Sequence, residues 1–536
     1  MEGMAEEVIT AIAAAQRPDG YLNSYFALER AAERWTNLRD QHELYCAGHM
    51  FEAAVAYAKA TGKTKLLDVA RRKADLIDRL FGPGKRVGYP GHEEIELALV
   101  KLYEHTGEVR YRDLAKHFID VRGTQPLDDE KRAYEYIQAH KPVRQQTDVV
   151  GHAVRAMYLY AGVTDVVALT GDAGYLRTME TIWDKVVRQK MYITGGIGSR
   201  HQGEAFGEAY ELPNRTAYCE TCAAIGLALW NHRMLMLAGE GRFADVLERA
   251  LYNGMLSGVS FTGEKFFYVN PLASDGTHHR QAWYGCACCP SNVVRFLPSI
   301  AGYVYAASDD ALWANLYIAG TATASIGEAK VKITQATDYP WSGAVQLTVE
   351  PAAETEFTLN LRIPGWADEH RIRVNGEAVT NVKLANGYAA IQRAWKAGDV
   401  VELELPMPIR RIEAHPSVVD NRGRVALQRG PIVYCLEAVD NGGRALSLVL
   451  PRDARLEEAT TEGLPGRVVV IRAEGLRVPP RDWAGKLYQP VAPAEKAQLT
   501  AIPYYAWDNR EPGEMTVWIP EAIGLAEAQP PAPGQK

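Results

Sequence analysis

Cysteine is scarce in this chain, 7 in 536 residues, far too few for the disulfide scaffold of a small secreted domain. Long apolar runs are missing too. No stretch approaches the roughly 18 apolar residues that a membrane span requires, so no membrane partner is expected. Nor is there a surplus of positive charge: 59 Lys and Arg face 66 Asp and Glu, a net charge of -7. Nucleic acid is therefore not an expected partner, and neutral small molecules are. The opening residues, MEGMAEEVITAIAAAQ, carry acids where a signal peptide carries Lys or Arg, which predicts a cytoplasmic location. What is present is ordinary, 47% hydrophobic and 23% charged residues, in a chain long enough for two or three domains.

Two periodicities divide it. Up to about residue 305 apolar residues recur at helical steps, as in MFEAAVAYAKA, IELALVKLYEH and IGLALWNHRMLML. Thr61-Gly62, Thr106-Gly107, Thr170-Gly171 and Ala238-Gly239 each end one such run, and a second run follows at once. A glycine there supplies the left-handed cap, so these sites read as tight turns between antiparallel helices. From about 306 the period falls to two, as in VKITQA, VQLTVE and FTLNLRI, and a second such set begins near 420. The expected architecture is multidomain α+β: a ring of helical hairpins over 1–305, β-sandwich modules over 306–419 and 420–528, and a disordered tail over 529–536. The helix count, about ten, falls short of a closed ring of six hairpins, and the missing helices are expected before residue 1.

Polar residues recur where the first helix of each hairpin begins. Gly48-His49, Gly91-His92 and Gly151-His152 open three of them, Cys219-Glu220-Thr221-Cys222 the fourth, and Cys288-Cys289-Pro290 a further helix. Proline suits the first turn of a helix. If the hairpins form a ring, these ends meet at one mouth, and the histidines, the thiols and Glu220 converge on one cavity. The glycine-rich TGGIGS at 194–199 lacks the spacing of a phosphate loop and reads as a flexible loop of that cavity.

Five of the cysteines lie between residues 219 and 289. Glu220, Cys222, Cys286, Cys288 and Cys289 offer soft thiolates and one hard carboxylate, a mixture that Zn²⁺ accepts in a tetrahedral set. Upstream, HQGEAFGEAYELPN supplies Glu204, Glu208 and Glu211, any of which could be the carboxyl acid/base of a glycosidase. The residues alone do not choose among them.

The strings GEAFGEAYELPNRTAYCETCA, ERALYNGMLSG, FFYVNPL and GCACCPSNVVR closely resemble glycoside hydrolase family 127, the β-L-arabinofuranosidases, and are similar to neighbouring family 146. The resemblance runs from QRPDGYLNSYF into the β-modules. It implies an (α/α)6 barrel, here N-terminally shortened, followed by two β-sandwich domains, and release of terminal β-L-arabinofuranose with retention. By the same resemblance, Glu204 is the acid/base and Cys288 the nucleophile. Glu220, Cys222, Cys288 and Cys289 hold Zn²⁺, while His49, His92, His152, Glu248 and Tyr268 contact the sugar. Cys219 and Cys286 match no ligand and are read as structural. The partners implied are L-arabinofuranose-containing oligosaccharides or glycoconjugates, with a homodimer admitted. Two rival readings are a related glycosidase for another plant cell-wall sugar, such as aceric acid, and a non-catalytic carbohydrate-binding protein stabilised by zinc.

Overall fold

The structure is a computed structural model that describes residues 2–127, 133–380 and 382–522. Helices dominate the first part of the chain and strands the rest, so the protein is a multidomain α+β fold. The tail expected to be disordered, 529–536, lies outside the described residues.

The helices are α1 (Glu2–Ala15), α2 (Glu43–Thr61), α3 (Lys65–Leu80), α4 (Ile95–Thr106), α5 (Val109–Val121), α6 (Ala153–Thr170), α7 (Ala173–Lys185), α8 (Thr221–Ala238), α9 (Gly241–Arg249) and α10 (Cys288–Phe296). The Thr-Gly turns work as the sequence predicts. Gly62, Gly107 and Gly171 adopt left-handed φ values of 75°, 73° and 68°, and their amides donate to Ala58, Tyr103 and Val167. The preceding threonines bond back by one turn, Thr61 Oγ1 to Tyr57 O, Thr106 Oγ1 to Leu102 O and Thr170 Oγ1 to Val166 O. Each glycine amide takes up one of the carbonyls that a helix end leaves without a partner, and the left-handed turn reverses the chain.

This produces two rows of helices. α2, α4 and α6 pack side by side, and the later part of α8 joins α6, with Trp230 Nε1 donating to Thr164 Oγ1 at 3.1 Å. α3, α5 and α7 pack outside their hairpin partners, and α1 lies on α3. Composition explains the division. α6 is apolar on nearly every side and almost wholly buried, whereas α5 buries Tyr111, Leu114, Ala115, Phe118 and Ile119 along one stripe. Each large side chain in that stripe stabilises the packing by about 1.5–3 kcal/mol.

By compactness the chain divides into two units that do not follow it linearly. The first comprises 1–191, 197–209 and 226–239; the second comprises 192–196, 210–225 and everything from Glu240 onward. Parts of the stretch expected to be purely helical thus fold with the strands. The reason is local pairing and burial: Ala273–Asp275 pairs with Glu514–Thr516, and Tyr192, Ala217, Phe267 and Leu272 are buried with Trp507 and Trp518.

Within the second unit, a sheet running from Gly320–Ile326 to Glu377–Ala378 and another running from Lys383–Ala385 to Tyr305–Ala307 share a core of Leu312, Val331, Ile333, Leu347, Leu359, Trp395, Val401 and Leu403. The next module is built differently. Its strand pairing runs from Ile432–Glu437 through Glu495–Pro503, Val468–Arg477, Leu448–Pro451 and Ile519–Ala522 to Arg424–Arg429, which pairs back with Ile432–Glu437. The circuit closes, and alternation sends Leu427, Tyr434 and Leu436 to one core and Ala426, Val433 and Cys435 to another. Ile409–Ile412 already pairs with Arg424–Arg429, so this sheet begins before the boundary expected at 419/420. Among the described residues no helix is long and apolar enough to cross a membrane.

Candidate active site

In the second unit, a buried turn, a helix start and a second helix start bring three sulfurs and one carboxylate together. Glu220 O accepts the amides of Ala223 and Ala224 and so begins α8, which carries Cys222 in its first turn. Cys288 is the first residue of α10 and Cys289 the second. Cys222 Sγ lies 3.4 Å from Cys289 Sγ, and Cys288 Sγ lies 3.9 Å from Cys289 Sγ. Glu220 Oε1 is 3.5 Å from Cys288 Sγ and 3.6 Å from Cys289 Sγ. All seven cysteines are free thiols.

These separations test whether a metal fits. Tetrahedral ligands with metal–sulfur bonds of ~2.3 Å and metal–oxygen bonds of ~2.0–2.2 Å sit ~3.5–3.8 Å apart. The separations above, 3.4–3.9 Å, bracket that spacing and all four donor atoms lie within 4.8 Å of one another, so the cluster can hold a metal ion. Glu220, Cys222 and Cys289 are buried, and Cys288 is half-buried.

Electrostatics separates the thiols further. Hydrogen bonds from Cys222 and Cys289, with a further one from Tyr268, pull the Cys288 thiol down to about 2 against the effect of burial. Burial pushes Cys222 and Cys289 well above the ordinary thiol range. All three sulfurs stand in the first turn of a helix, where negative charge is favoured, and Cys288 is the one left half-buried. Tyr268 Oη lies 3.2 Å from its Sγ. Cys286 is exposed and Cys219 is buried, and neither joins the four donors.

TGGIGS is not a loose loop: its residues are buried, and a Cβ on Gly196 would lie 2.9 Å from Cys219 Sγ. It is a packed support. Cys219 itself has φ +41°, left-handed for a residue with a side chain, which costs about 1–2 kcal/mol.

The histidines and Glu204 belong to the first unit. Arg200 and Ala205 exchange both backbone hydrogen bonds, making a tight reversal whose tip carries Gly203 and Glu204. Phe206 N donates to Gly151 O, which docks the reversal on the segment before α6. A Cβ on Gly151 would lie 2.0 Å from Glu135 O, so only glycine fits there. Glu204, at φ +51°, then reaches His152 Nε2 with Oε2 at 2.8 Å. His152 Nδ1 accepts the Val154 amide at 3.2 Å as the N-cap of α6. A nitrogen that accepts a backbone N–H carries no proton, so Nε2 is the protonated nitrogen and donates to Glu204. His152 therefore orients Glu204. Glu208 has a side chain 85% exposed near Arg200, so position distinguishes it from Glu204, which is one-third exposed.

The histidine row is real, but its first member differs. α2 begins at Glu43, so His49 lies inside the helix and its Nδ1 meets Glu94 Oε1 at 3.0 Å. The N-terminal position belongs to His42, whose ring lies 5.9 Å from that of His92, itself 5.7 Å from that of His152. Tyr45 packs between, 4.2 Å from His92 and 4.4 Å from His49. His42 Nδ1 is 2.7 Å from Asp40 O and His92 Nδ1 is 2.9 Å from Glu93 O. Carbonyls only accept, so these Nδ1 atoms carry the protons and each Nε2 is a lone-pair acceptor. Burial first, then the Arg155 charge, lowers both imidazoles' affinity for a second proton. Sequence reasoning missed His42 because a helix start there has no glycine to mark it; the HELY string that begins with His42 was the available signal.

Glu248 does not fit the role expected of it. It is 1% exposed, and its carboxylate receives Arg362 Nη2 at 2.5 Å, Tyr339 Oη at 2.6 Å and Trp366 Nε1 at 3.3 Å. Arg362 also meets Asp245 at 2.6 Å. This is an internal lock between α9 and the strand Thr355–Arg362.

Comparison with known proteins follows the same lines. Family models for the β-L-arabinofuranosidase catalytic domain, middle domain and C-terminal domain of glycoside hydrolase family 127 match residues 1–302, 311–407 and 409–520. A non-reducing end β-L-arabinofuranosidase of Bifidobacterium longum subsp. longum is 38% identical, over 97% of this chain and 85% of that one. The crystal structure of a family 127 β-L-arabinofuranosidase from Geobacillus stearothermophilus T6 superposes with a TM-score of 0.94 at 48% identity, over 97% of this chain and 87% of that one. A further family 127 β-arabinofuranosidase structure gives a TM-score of 0.90 at 44% identity, over 96% and 84% of the two chains.

Proposed function

This chain belongs to glycoside hydrolase family 127 and is a glycoside hydrolase, and from that premise we propose that it releases terminal β-L-arabinofuranose with retention, using Cys288 as nucleophile and Glu204 as acid/base. The observation that carries this reading is the cluster of three sulfurs and one carboxylate at tetrahedral spacing, in which the half-buried sulfur is Cys288. Zn²⁺ is the ion we assign to Glu220, Cys222, Cys288 and Cys289. When bound it supplies the positive charge that keeps these thiols ionised at neutral pH and eases the departure of sulfur from carbon.

The chain's own residues do the rest. Cys288 Sγ attacks the anomeric carbon, forming a C–S bond as the glycosidic C–O bond breaks. Glu204 gives its proton to the leaving oxygen. Glu204, now a carboxylate, takes a proton from water; the water oxygen bonds to the same carbon and the sulfur leaves as a thiolate. Two inversions at one carbon give net retention. His152 keeps Glu204 turned to its work through the 2.8 Å contact. His42, His92 and Tyr45 offer acceptors and a ring face for the sugar hydroxyls and carbons.

The test is hydrolysis of an aryl β-L-arabinofuranoside together with metal analysis. Wild-type protein is expected to carry one zinc per chain and release the phenol. Cys288→Ser is expected to lose turnover by on the order of 10³-fold or more. A Cys288→Ser protein with near-normal turnover would remove Cys288 from the reaction.

A further inference from the structure

We infer that Asn270 is a positioning residue for the metal-binding thiols, holding the left-handed turn at Cys219 in the one conformation that presents Glu220 and Cys222. The inference rests on the reading of the four-donor cluster as the zinc and nucleophile site. The backbone at Cys219 is set against its own preference, at φ +41°, immediately before Glu220. Strain of that kind persists only where surrounding groups over-determine it.

Those groups converge on one buried side chain. Asn270 Nδ2 donates to Cys219 O at 2.8 Å and to Thr221 Oγ1 at 3.0 Å. Its Oδ1 accepts from Ser257 Oγ at 2.9 Å, and its own amide donates to Tyr218 O at 3.1 Å. Thr221 in turn donates from N to Tyr268 O at 3.0 Å and from Oγ1 to Phe267 O at 2.8 Å. Asn270 is 2% exposed and Thr221 is fully buried.

Two backbone segments are stitched together by this amide. One supplies Glu220 and Cys222; the other supplies Tyr268, whose hydroxyl lies 3.2 Å from Cys288 Sγ. Both ends of the amide are used, so no apolar residue of similar size replaces it. Asn270 touches neither a sulfur nor the Glu220 carboxylate and therefore acts only through the residues it holds.

The experiment compares full-length wild type, Asn270→Ala and Thr221→Val for zinc affinity, by competition with a chromogenic chelator, for kcat and KM on the aryl arabinofuranoside, and for melting of the metal-free protein. Loss of an outer hydrogen bond to a metal site lowers metal affinity by about 10–100-fold, and that range is expected for Asn270→Ala, with kcat falling and KM little changed. Thr221→Val, which keeps the side-chain shape, is expected to move in the same direction by less, and it decides the matter alone if Asn270→Ala does not fold. Cys219→Gly added to Asn270→Ala is expected to recover part of the lost affinity, because glycine adopts the left-handed turn without strain. Zinc affinities equal to wild type in the folded variants would overturn the role of Asn270. A wild type that binds no zinc would instead overturn the assignment of the cluster, and the inference with it.

Discussion

Glu220 and Glu248 are both glutamates in the second unit, both almost wholly buried, and their surroundings could hardly differ more. Glu248 faces a guanidinium, a phenol and an indole, all donors, so its charge is matched by groups the chain itself provides. Glu220 faces sulfurs. A thiol is a weak donor, and once ionised it is an anion beside an anion. Burying a carboxylate is costly unless something positive shares the space. At Glu248 the chain brings that charge with it; Glu220 is one of four donors that could hold a metal ion. The difference separates a lock from a reactive site more sharply than burial alone.

The comparison can be broken first at the lock. Glu248→Ala leaves Arg362 buried with one of its two carboxylate partners gone, and such a loss costs about 3–5 kcal/mol. The expected readout is a large drop in the denaturation midpoint, with zinc content of the remaining folded protein unchanged. Replacing both Glu248 and Arg362 with methionine is expected to cost less, since no guanidinium is then left buried and the Asp245 carboxylate that loses its partner is one-third exposed. Equal losses for the single and double variants would show that the pair is not a lock.

At Glu220 the reverse pattern is expected. Chelating the metal should lower the melting temperature of wild type, because an ion that binds only the folded state stabilises it. Glu220→Ala should abolish most of that difference while leaving the metal-free melting temperature close to wild type. A chelator that leaves the wild-type melting temperature unmoved would contradict the contrast between the two glutamates.

A surface carboxylate calibrates the small end of the scale. Asp172 caps α7, accepting the amides of Gly174 at 3.0 Å and Tyr175 at 3.1 Å, and pairs with Arg144. The Arg144 hydrogen bonds, and then the cap amides, hold its carboxyl below the usual carboxylate range. Its folded-state affinity for protons is thus lower than in the unfolded chain. The stabilisation is complete above the unfolded value of about 4 and is lost as pH falls through the lower folded value. The ion pair lies at the surface, where solvent screens it, and adds little, so Asp172→Ala is expected to cost about 1 kcal/mol from the cap. That cost should be seen at pH 7 and shrink toward pH 2 in denaturant titrations.

Much of the fold was legible in one dimension. The Thr-Gly turns at 61–62, 106–107 and 170–171 were readable because a left-handed cap needs glycine wherever it occurs, whatever surrounds it. The alternation in VQLTVE and FTLNLRI was readable for the same kind of reason, a strand having two faces. Domain limits were less so. Ala273–Asp275 is three residues long and carries no strand signal of its own; only its partner Glu514–Thr516 makes it a strand. The closed circuit of the last sheet likewise depends on Arg424–Arg429 meeting two neighbours, which no local pattern encodes.

The site divides the same way. Sequence by itself determined that sulfur and carboxylate would cluster, because Glu220, Cys222, Cys288 and Cys289 stand at helix starts, and a helix start fixes where its first side chains point. Three-dimensional packing decided the rest. It placed His42 where His49 was expected, because the first turn of α2 lies upstream of the glycine. It turned His152 into the partner of Glu204 and Glu248 into the partner of Arg362, because those contacts join residues far apart in the chain. Accessibility and charge are properties of a surrounding, and a surrounding exists only once the chain has folded.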